Sequence, residues 1–92
     1  MTIDEEFQQL IPALSSEEQK ELENSIKAYG CRDPLVVWQG VLIDGHNRYE
    51  ICTRNGIEYN TVEIDLPDRE AVIDWIERNQ LGRRNLTPDW FK

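Results

Sequence analysis

Glycines divide the middle of this chain into short segments, and the apolar residues of these segments follow the pattern of a helix in one segment and of a strand in the next. Before the first glycine, Leu22, Ile26 and Tyr29 follow the spacing of one helical face, whereas residues 35–38 and 41–43 are β-branched and aromatic runs. Helices and strands this short are unstable alone. The chain is therefore predicted to fold as an α+β domain, with helices packed on a small mixed sheet. The glycines that divide this middle part are Gly30, Gly40, Gly45 and Gly56.

Capping and turn residues place the first predicted elements. A helix is predicted from Ser15 or Ser16 to Gly30, because each serine is followed three residues later by a glutamate or a glutamine, as in a capping box. The runs at 35–38 and 41–43 are separated by a short turn that contains a glycine. These two runs therefore predict a β-hairpin.

Three further elements are predicted after the hairpin. Residues 46–55 fit a short helix, and residues 59–64 have the composition of a strand. Asp68 is predicted to cap a longer helix, and Gly82 is predicted to end it. The residues that share one face of this helix are Val72, Trp75, Ile76 and Asn79.

The C-terminal residues predict that the chain was cut from a longer protein. Residues 85–90 read Asn-Leu-Thr-Pro-Asp-Trp, a helix start with threonine as the cap and proline at the first position. The sequence stops at Lys92, before a helix from this start could be stable alone. Residues 1–92 are therefore interpreted as one domain truncated at its C-terminus. The alternative is a one-turn cap that packs Trp90 and Phe91 on the core.

Charge and hydropathy exclude several classes of protein. The 92 residues include 18 acidic and 10 basic side chains, a net charge of −8, which argues against a surface that grips nucleic acid unaided. No apolar run approaches the roughly 18 residues that would cross a membrane. The first residues, Met-Thr-Ile-Asp-Glu-Glu, are acidic where a secretory signal would be basic. The chain is therefore expected to be cytoplasmic, with no membrane partner.

The two cysteines, Cys31 and Cys52, predict neither a disulfide framework nor a metal site. A single pair cannot make a scaffold of several disulfides, and neither cysteine belongs to a metal-binding spacing. We expect both to be small, partly buried apolar residues in a reducing compartment.

The junction between the second strand of the hairpin and the helix after it carries the residues best suited to bind an anion. Gly45 allows the chain to turn tightly and a ligand to approach the backbone. The N–H groups of the following helical turn lie at the positive end of the helix dipole. Arg48 adds a forked donor that suits phosphate, and His46 and Asn47 can donate or accept hydrogen bonds.

A second polar cluster lies near the C-terminus, around Gly82 and between two predicted helices. Its carboxamides, Asn79 and Gln80, can make directional hydrogen bonds to a base or to phosphate oxygens. Its guanidinium groups, on Arg83 and Arg84, can reach phosphates. The cluster is predicted to form the wall opposite the turn at residue 45.

Both clusters also have a purely structural interpretation. At the junction, Gly45 would only make the turn and Asp44 would cap the helix. Arg48 would then pair with Glu50 or with another neighbour. The C-terminal cluster would be a polar connector exposed to solvent. The spacing of the residues alone does not choose between the two interpretations.

The element order and the two clusters together resemble the N-terminal domain of the ParB/sulfiredoxin superfamily, also described as a ParB-like nuclease domain. The resemblance covers residues 10–90. ParB proteins carry a Gly-Glu-Arg-Arg box that binds the phosphates of CTP, and sulfiredoxins carry Gly-Cys-His-Arg for ATP. Gly45 and Arg48 match the glycine and arginine that both boxes share. Residues 44–48 are also similar to the Asp-Gly-His-x-Arg sequence of ParB-like free-serine kinases, and residues 79–88 to the ParB stretch Glu-Asn-x-Gln-Arg-x-x-Leu-x-Pro.

Departures from the family pattern narrow what the resemblance implies. His46 stands where sulfiredoxins have their catalytic cysteine, and Cys52 lies six residues further on, so the chain is not predicted to be a sulfiredoxin. Asn47 replaces one arginine of the ParB box. Asn79 replaces an acidic residue that in ParB helps to hold the magnesium of the nucleotide. No residue is therefore assigned as a metal ligand.

The resemblance implies a nucleotide-binding regulatory domain of a ParB-like partition, replication or transcription-regulating protein, including such proteins of mobile elements. The expected ligand is a nucleoside triphosphate, CTP or ATP, with Mg²⁺. DNA would be bound only through a region after Lys92, and the domain would self-associate. The implied nucleotide-binding residues are Gly45, His46, Asn47, Arg48, Asn79, Gln80, Arg83 and Arg84.

Two other functions stay open. The first is a small ParB-like enzyme, which would be a nucleotide hydrolase, a phosphotransferase such as a free-serine kinase, or a nuclease. Asp44 and His46 would be its catalytic candidates, because both could act on a bound phosphate as acid or base. The second is a protein-interaction module, because aromatic residues are enriched at interfaces. Its candidate residues are Trp38, Trp75 and Trp90.

Overall fold

The computed structural model describes residues 1–84 of the chain and the side chains of residues 1–80. Within this part, a mixed sheet of four strands is packed with four helices, so the predicted α+β class is confirmed. In chain order the elements are β1 (Thr2–Ile3), α1 (Glu5–Gln9), α2 (Ser16–Tyr29), β2 (Leu35–Trp38), β3 (Val41–Asp44), α3 (His46–Asn55), β4 (Thr61–Glu63) and α4 (Arg69–Arg84).

The predicted hairpin forms the centre of the sheet. The strand order is β1-β3-β2-β4, and β2 and β3 pair antiparallel. The outer strands pair parallel to the hairpin strands, β1 with β3 and β4 with β2. Because β3 is a central strand, its last residue, Asp44, lies well inside the domain, and the chain passes from there directly into α3.

Apolar side chains from both sides of the sheet build the core. One cluster joins α1, the hairpin and α4, and a smaller one lies between α2 and α3. Alternation along β3 places Leu42 on the face opposite Ile43, and both side chains are fully buried. The buried residues of the first cluster are Phe7, Trp38, Ile43, Val72 and Ile76, and those of the second are Ile26, Ile51 and Cys52.

Local signals place most element ends correctly. Ser15 caps α2: its side chain accepts from the Glu18 N–H, and the Glu18 carboxylate accepts from the Ser15 N–H. The Asp68 carboxylate accepts a hydrogen bond from the Ala71 N–H at 2.9 Å, as the prediction of a cap at this position requires. The strand predicted at 59–64 is shorter than expected and comprises Thr61–Glu63.

Two predictions about the helices are wrong. Tyr29 was expected on the buried stripe of α2, yet it is 71% exposed, because it is the last helical residue and its ring lies against the Arg32 guanidinium instead. Gly82 does not end α4, which continues to Arg84, since a glycine inside a helix costs only about 1 kcal/mol. The cluster at 79–84 is therefore helical and not a connector. The helix start predicted at 85–90 lies outside the described residues.

The N-terminal elements β1 and α1 were not predicted. Asp4 caps α1 and accepts from the N–H groups of Glu6 and Phe7, which anchors a helix of five residues. Arg69 of α4 pairs with the carboxylates of Asp4 and Glu6, and its guanidinium lies 4.4 Å from the centre of the Phe7 ring. These contacts fasten α1 to the first turn of α4. No helix within residues 1–84 is long and apolar enough to cross a membrane.

Candidate functional site

The turn between β3 and α3 brings the backbone into a conformation that only glycine adopts easily. Gly45 has φ 98° and ψ 25° and is the N-cap of α3. A Cβ at this position would lie 2.6 Å from Leu35 Cδ2 and 3.0 Å from Arg48 Nη2. Since the cap residue has no side chain, it cannot accept hydrogen bonds from the first-turn N–H groups, as a serine or an aspartate would.

His46, the first residue of α3, is buried. The residue is only 7% exposed, and neither ring nitrogen, Nδ1 or Nε2, has a hydrogen-bond partner among the described residues. Burial lowers the pKa of His46 below its ordinary value of 6.5, and the nearby Asp44 carboxylate only partly opposes this. At neutral pH the ring is therefore uncharged and offers one unused donor and one unused acceptor.

Three clefts meet at His46. The first, of about 370 Å³, lies between α3 and the N-terminal residues Ile3 and Gln8. The second, of about 430 Å³, is bounded by the end of α1 and by the loop that contains Pro12. The third, of about 140 Å³, includes Gly45 and Arg48. A ligand in this region would therefore lie beside His46 and the first turn of α3.

Arg48 is held over the Gly45 turn. Its Nη2 donates to the Pro34 carbonyl oxygen at 3.3 Å and lies 3.7 Å from Asp44 Oδ2. The side chain is 18% exposed, and its Nε has no hydrogen-bond partner in the described part of the chain. The pairing with Asp44 agrees in part with the structural interpretation of the junction, although Glu50 is not the partner. Glu50 pairs with Arg54.

Asp44 does not serve as the helix cap, since Gly45 occupies the N-cap position. Asp44 is only 5% exposed, and its carboxylate lies near both His46 and Arg48. The carboxylate offsets part of the positive charge of Arg48, so an anion at this junction would be stabilised mainly by the helix dipole and by directional donors. Among residues 1–80, no group of three or more histidine, cysteine, aspartate and glutamate side chains could hold a metal ion.

The two predicted walls of the site are not brought together by the described contacts. Asn47 lines two of the three clefts at His46, as expected of a residue in the first turn. Asn79 and Gln80 are half-buried on α4 and line none of these clefts. The side chains of Arg83 and Arg84 lie outside the described residues, so their role stays a prediction.

Residues of α1 and of the loop after it line the clefts at His46 in place of the predicted residues of α4. Gln8 lines two of the clefts at His46, and Ile11 lines two. The sequence analysis missed them because no binding motif marks this segment. A signal was present, however: Asp4 followed by two glutamates is typical of a capped helix start.

The tryptophans do not form a common surface in the described residues. Trp38 is buried in the core, and its Nε1 donates to the Leu66 carbonyl oxygen at 2.9 Å. Trp75 is half-buried and packs against the same cluster, as its place on the apolar face of α4 predicted. Trp90 lies outside the described residues.

The lowered pKa of His46 predicts a loss of stability on mild acidification. As pH falls from 7.5 to 5, the unfolded chain binds a proton near pH 6.5 and the folded chain binds it only at lower pH, so the free energy of unfolding falls, by at most about 1.4 kcal/mol per pH unit. His46 is the only histidine, and carboxylates titrate mainly below this window. Urea denaturation of the wild type and of His46→Gln at several pH values measures the effect. Equal slopes for the two proteins would contradict the prediction.

Comparison with known families, curated proteins and solved structures finds no family model, no protein and no structure that matches this chain. The resemblance to ParB-like domains therefore rests on the motifs at 44–48 and 79–88 and stays a prediction.

Proposed function

We propose that this domain binds the phosphates of a nucleotide at the first turn of α3, as a regulatory domain of a ParB-like partition, replication or transcription-regulating protein. The observation that carries the proposal is His46. It is a buried imidazole whose two nitrogens have no partner within the described part of the chain, at the start of a helix that a glycine caps. Buried polar groups are nearly always hydrogen-bonded in folded proteins, and a ligand oxygen would supply the missing partner.

The backbone of the junction suits a phosphate. The first turn of a helix presents N–H groups at the positive end of the dipole, where anions are stabilised. With no Cβ at Gly45, the Leu35 and Arg48 side chains can pack directly against the turn, which holds Arg48 beside the first turn of α3. Asn47 borders the same clefts as His46 and can donate through its carboxamide.

Arg48 supplies the positive charge at the junction, and Asp44 weakens the attraction of that charge for an anion. The Arg48 guanidinium is a charge-assisted donor held at the turn, and its side chain is 18% exposed. Because Asp44 lies 3.7 Å from the guanidinium and the whole chain carries a charge of −8, we expect weak binding that falls further as salt is added. The phosphates of CTP or ATP fit this chemistry, with Mg²⁺ accompanying the triphosphate.

Titration of the ¹⁵N-labelled chain with CTP, ATP and inorganic pyrophosphate tests the proposal. We expect the largest amide shifts at residues 45–48. Arg48→Gln removes the charged donor and should weaken binding about 10-fold, the usual loss for one charge-assisted hydrogen bond. Arg78→Gln makes the same change of charge on α4, where the side chain is 77% exposed and pairs only with Asp74 in the described contacts, so it should bind like the wild type.

Two outcomes would overturn the proposal. The first is a folded wild-type protein whose amides at 45–48 do not respond to any of the three ligands. The second is an equal loss of affinity in Arg48→Gln and Arg78→Gln, which would show that binding follows net charge and not the geometry of the junction.

The enzyme alternative is supported by the pair of buried side chains that flank Gly45. Asp44 and His46 are 5% and 7% exposed, and the uncharged imidazole could accept a proton from a nucleophile near a bound phosphate. A hydrolase or phosphotransferase would turn over CTP or ATP in the wild type and lose most of that rate in His46→Gln. Equal rates in the two proteins would leave His46 a binding residue.

A further inference from the structure

The two cysteines, which are distant in sequence, meet between α2 and α3. Cys31 directly follows the C-cap glycine of α2, and Cys52 is in the middle of α3. Cys31 packs against the small core cluster that contains Ile26, Ile51 and Cys52. Cys31 is a neighbour of the Cys52 thiol in this cluster, and both cysteines are free. Their spacing in the sequence gave no indication of this contact.

The environments of the two sulfurs differ. Cys31 is half-buried and lines a surface cleft of about 200 Å³ that also includes Arg32 and Arg48. Its Sγ donates to the Asp33 carbonyl oxygen at 3.6 Å. Cys52 is only 1% exposed, and burial, together with the neighbouring Cys31 thiol, raises the pKa of its thiol to about 11. A small oxidant from solvent therefore reaches Cys31 first.

We infer that Cys31 and Cys52 are a reactive thiol pair that a peroxide converts into a reversible disulfide between the end of α2 and α3. In the first step the Cys31 sulfur attacks hydrogen peroxide: an S–O bond forms, the O–O bond breaks, and water leaves after proton transfer. In the second step the Cys52 sulfur attacks the resulting sulfenic acid of Cys31. The S–S bond forms, the S–O bond breaks, and the Cys52 proton leaves with the hydroxide as a second water. Two thiols are oxidised by two electrons and one peroxide is reduced.

The local backbone can accommodate this bond. Two neighbouring thiols must approach to about 2 Å to form the S–S bond. Cys31 can move toward Cys52 because residues 31–34 lie outside the helices and strands, whereas Cys52 is fixed in α3. The bond closes a loop of some twenty residues, which restricts the unfolded chain and should raise the Tm by roughly 10 °C.

Mass spectrometry of the full chain tests the inference. The reduced protein is treated with a small excess of hydrogen peroxide at neutral pH. We expect a monomer about 2 Da lighter, the loss of two hydrogens for one disulfide. Peptide mapping without reductant should join the peptides that contain residues 31 and 52, and dithiothreitol should restore the original mass. This test does not depend on phosphate binding, because it reads only the thiols.

Two variants separate the roles of the sulfurs. In Cys52→Ala, Cys31 should stop at sulfenic acid, which dimedone traps. In Cys31→Ser, the buried Cys52 should keep its thiol at the same dose of peroxide. The inference is overturned if the wild type keeps both thiols, gains oxygen without a cross-link, or links two chains instead. Those three results are read on the wild type alone, so they hold even if a variant does not fold.

Discussion

Replacing Gly45 by alanine is expected to lower the free energy of unfolding by about 2–4 kcal/mol. Two effects add. At φ 98° an alanine is strained, because its Cβ crowds the neighbouring backbone. The same Cβ would also lie 2.6 Å from Cδ2 of Leu35, a fully buried side chain that cannot move aside without disturbing the core. Urea denaturation at neutral pH measures the loss.

Gly56→Ala is the matched control for this experiment. Gly56 also has a positive φ, of 66°, and caps the other end of the same helix, but a Cβ there would meet nothing within 4 Å. Its replacement should therefore cost only about 1 kcal/mol, the conformational part alone. If the two variants lose equal stability, close packing at the β3–α3 turn is not what requires glycine. If the site binds phosphate as proposed, Gly45→Ala should also weaken that binding.

Replacing Phe7 by alanine is expected to lower the free energy of unfolding by about 3–5 kcal/mol, the usual range for a buried aromatic residue. The Phe7 side chain is fully buried and meets the Trp38 ring edge-on, with 6.4 Å between the ring centres. It is also the only buried residue of α1. Because a helix of five residues has no stability of its own, α1 stays in place mainly through this side chain and the ion pairs of Arg69.

Gln9→Ala provides the control on the same helix, since Gln9 is exposed, and it should change stability by less than about 0.5 kcal/mol. Hydrogen exchange adds a second measurement: in Phe7→Ala, the amides of α1 should lose protection first. A loss below about 1 kcal/mol in Phe7→Ala would contradict the prediction, because it would mean that α1 contributes little to the core.

The elements that the sequence predicted well are those with local signals at both ends. The capping box at Ser15 and the glycine at 30 predicted the two ends of α2 correctly. Gly45 and Gly56 predicted the first and last residues of α3 without error. These signals act through hydrogen bonds and backbone angles between residues a few positions apart. The elements that were missed, β1 and α1, are stabilised by distant partners: β3 for the strand, and Trp38 and Arg69 for the helix.

The candidate site also combines features that local patterns predict with features that depend on distant residues. Gly45, His46, Asn47 and Arg48 became candidates from their order in the sequence, because a glycine before a helix predicts a turn that leads into a helix N-terminus. The burial of His46, the pairing of Arg48 with Asp44, and the wall supplied by α1 could not be predicted in this way. Each depends on residues that are far apart in the chain.

The sequence by itself determined the class of the fold and the limits of the central helices and hairpin, and it predicted the segment most suited to an anion. Periodicity, capping and glycine positions are properties of neighbouring residues, so they are readable before folding. Only the tertiary structure decided the strand order, left the His46 nitrogens without a partner among the described residues and packed Cys31 against the core cluster that contains Cys52. These features arise when elements pack on a common core, and packing brings together side chains that no local pattern relates.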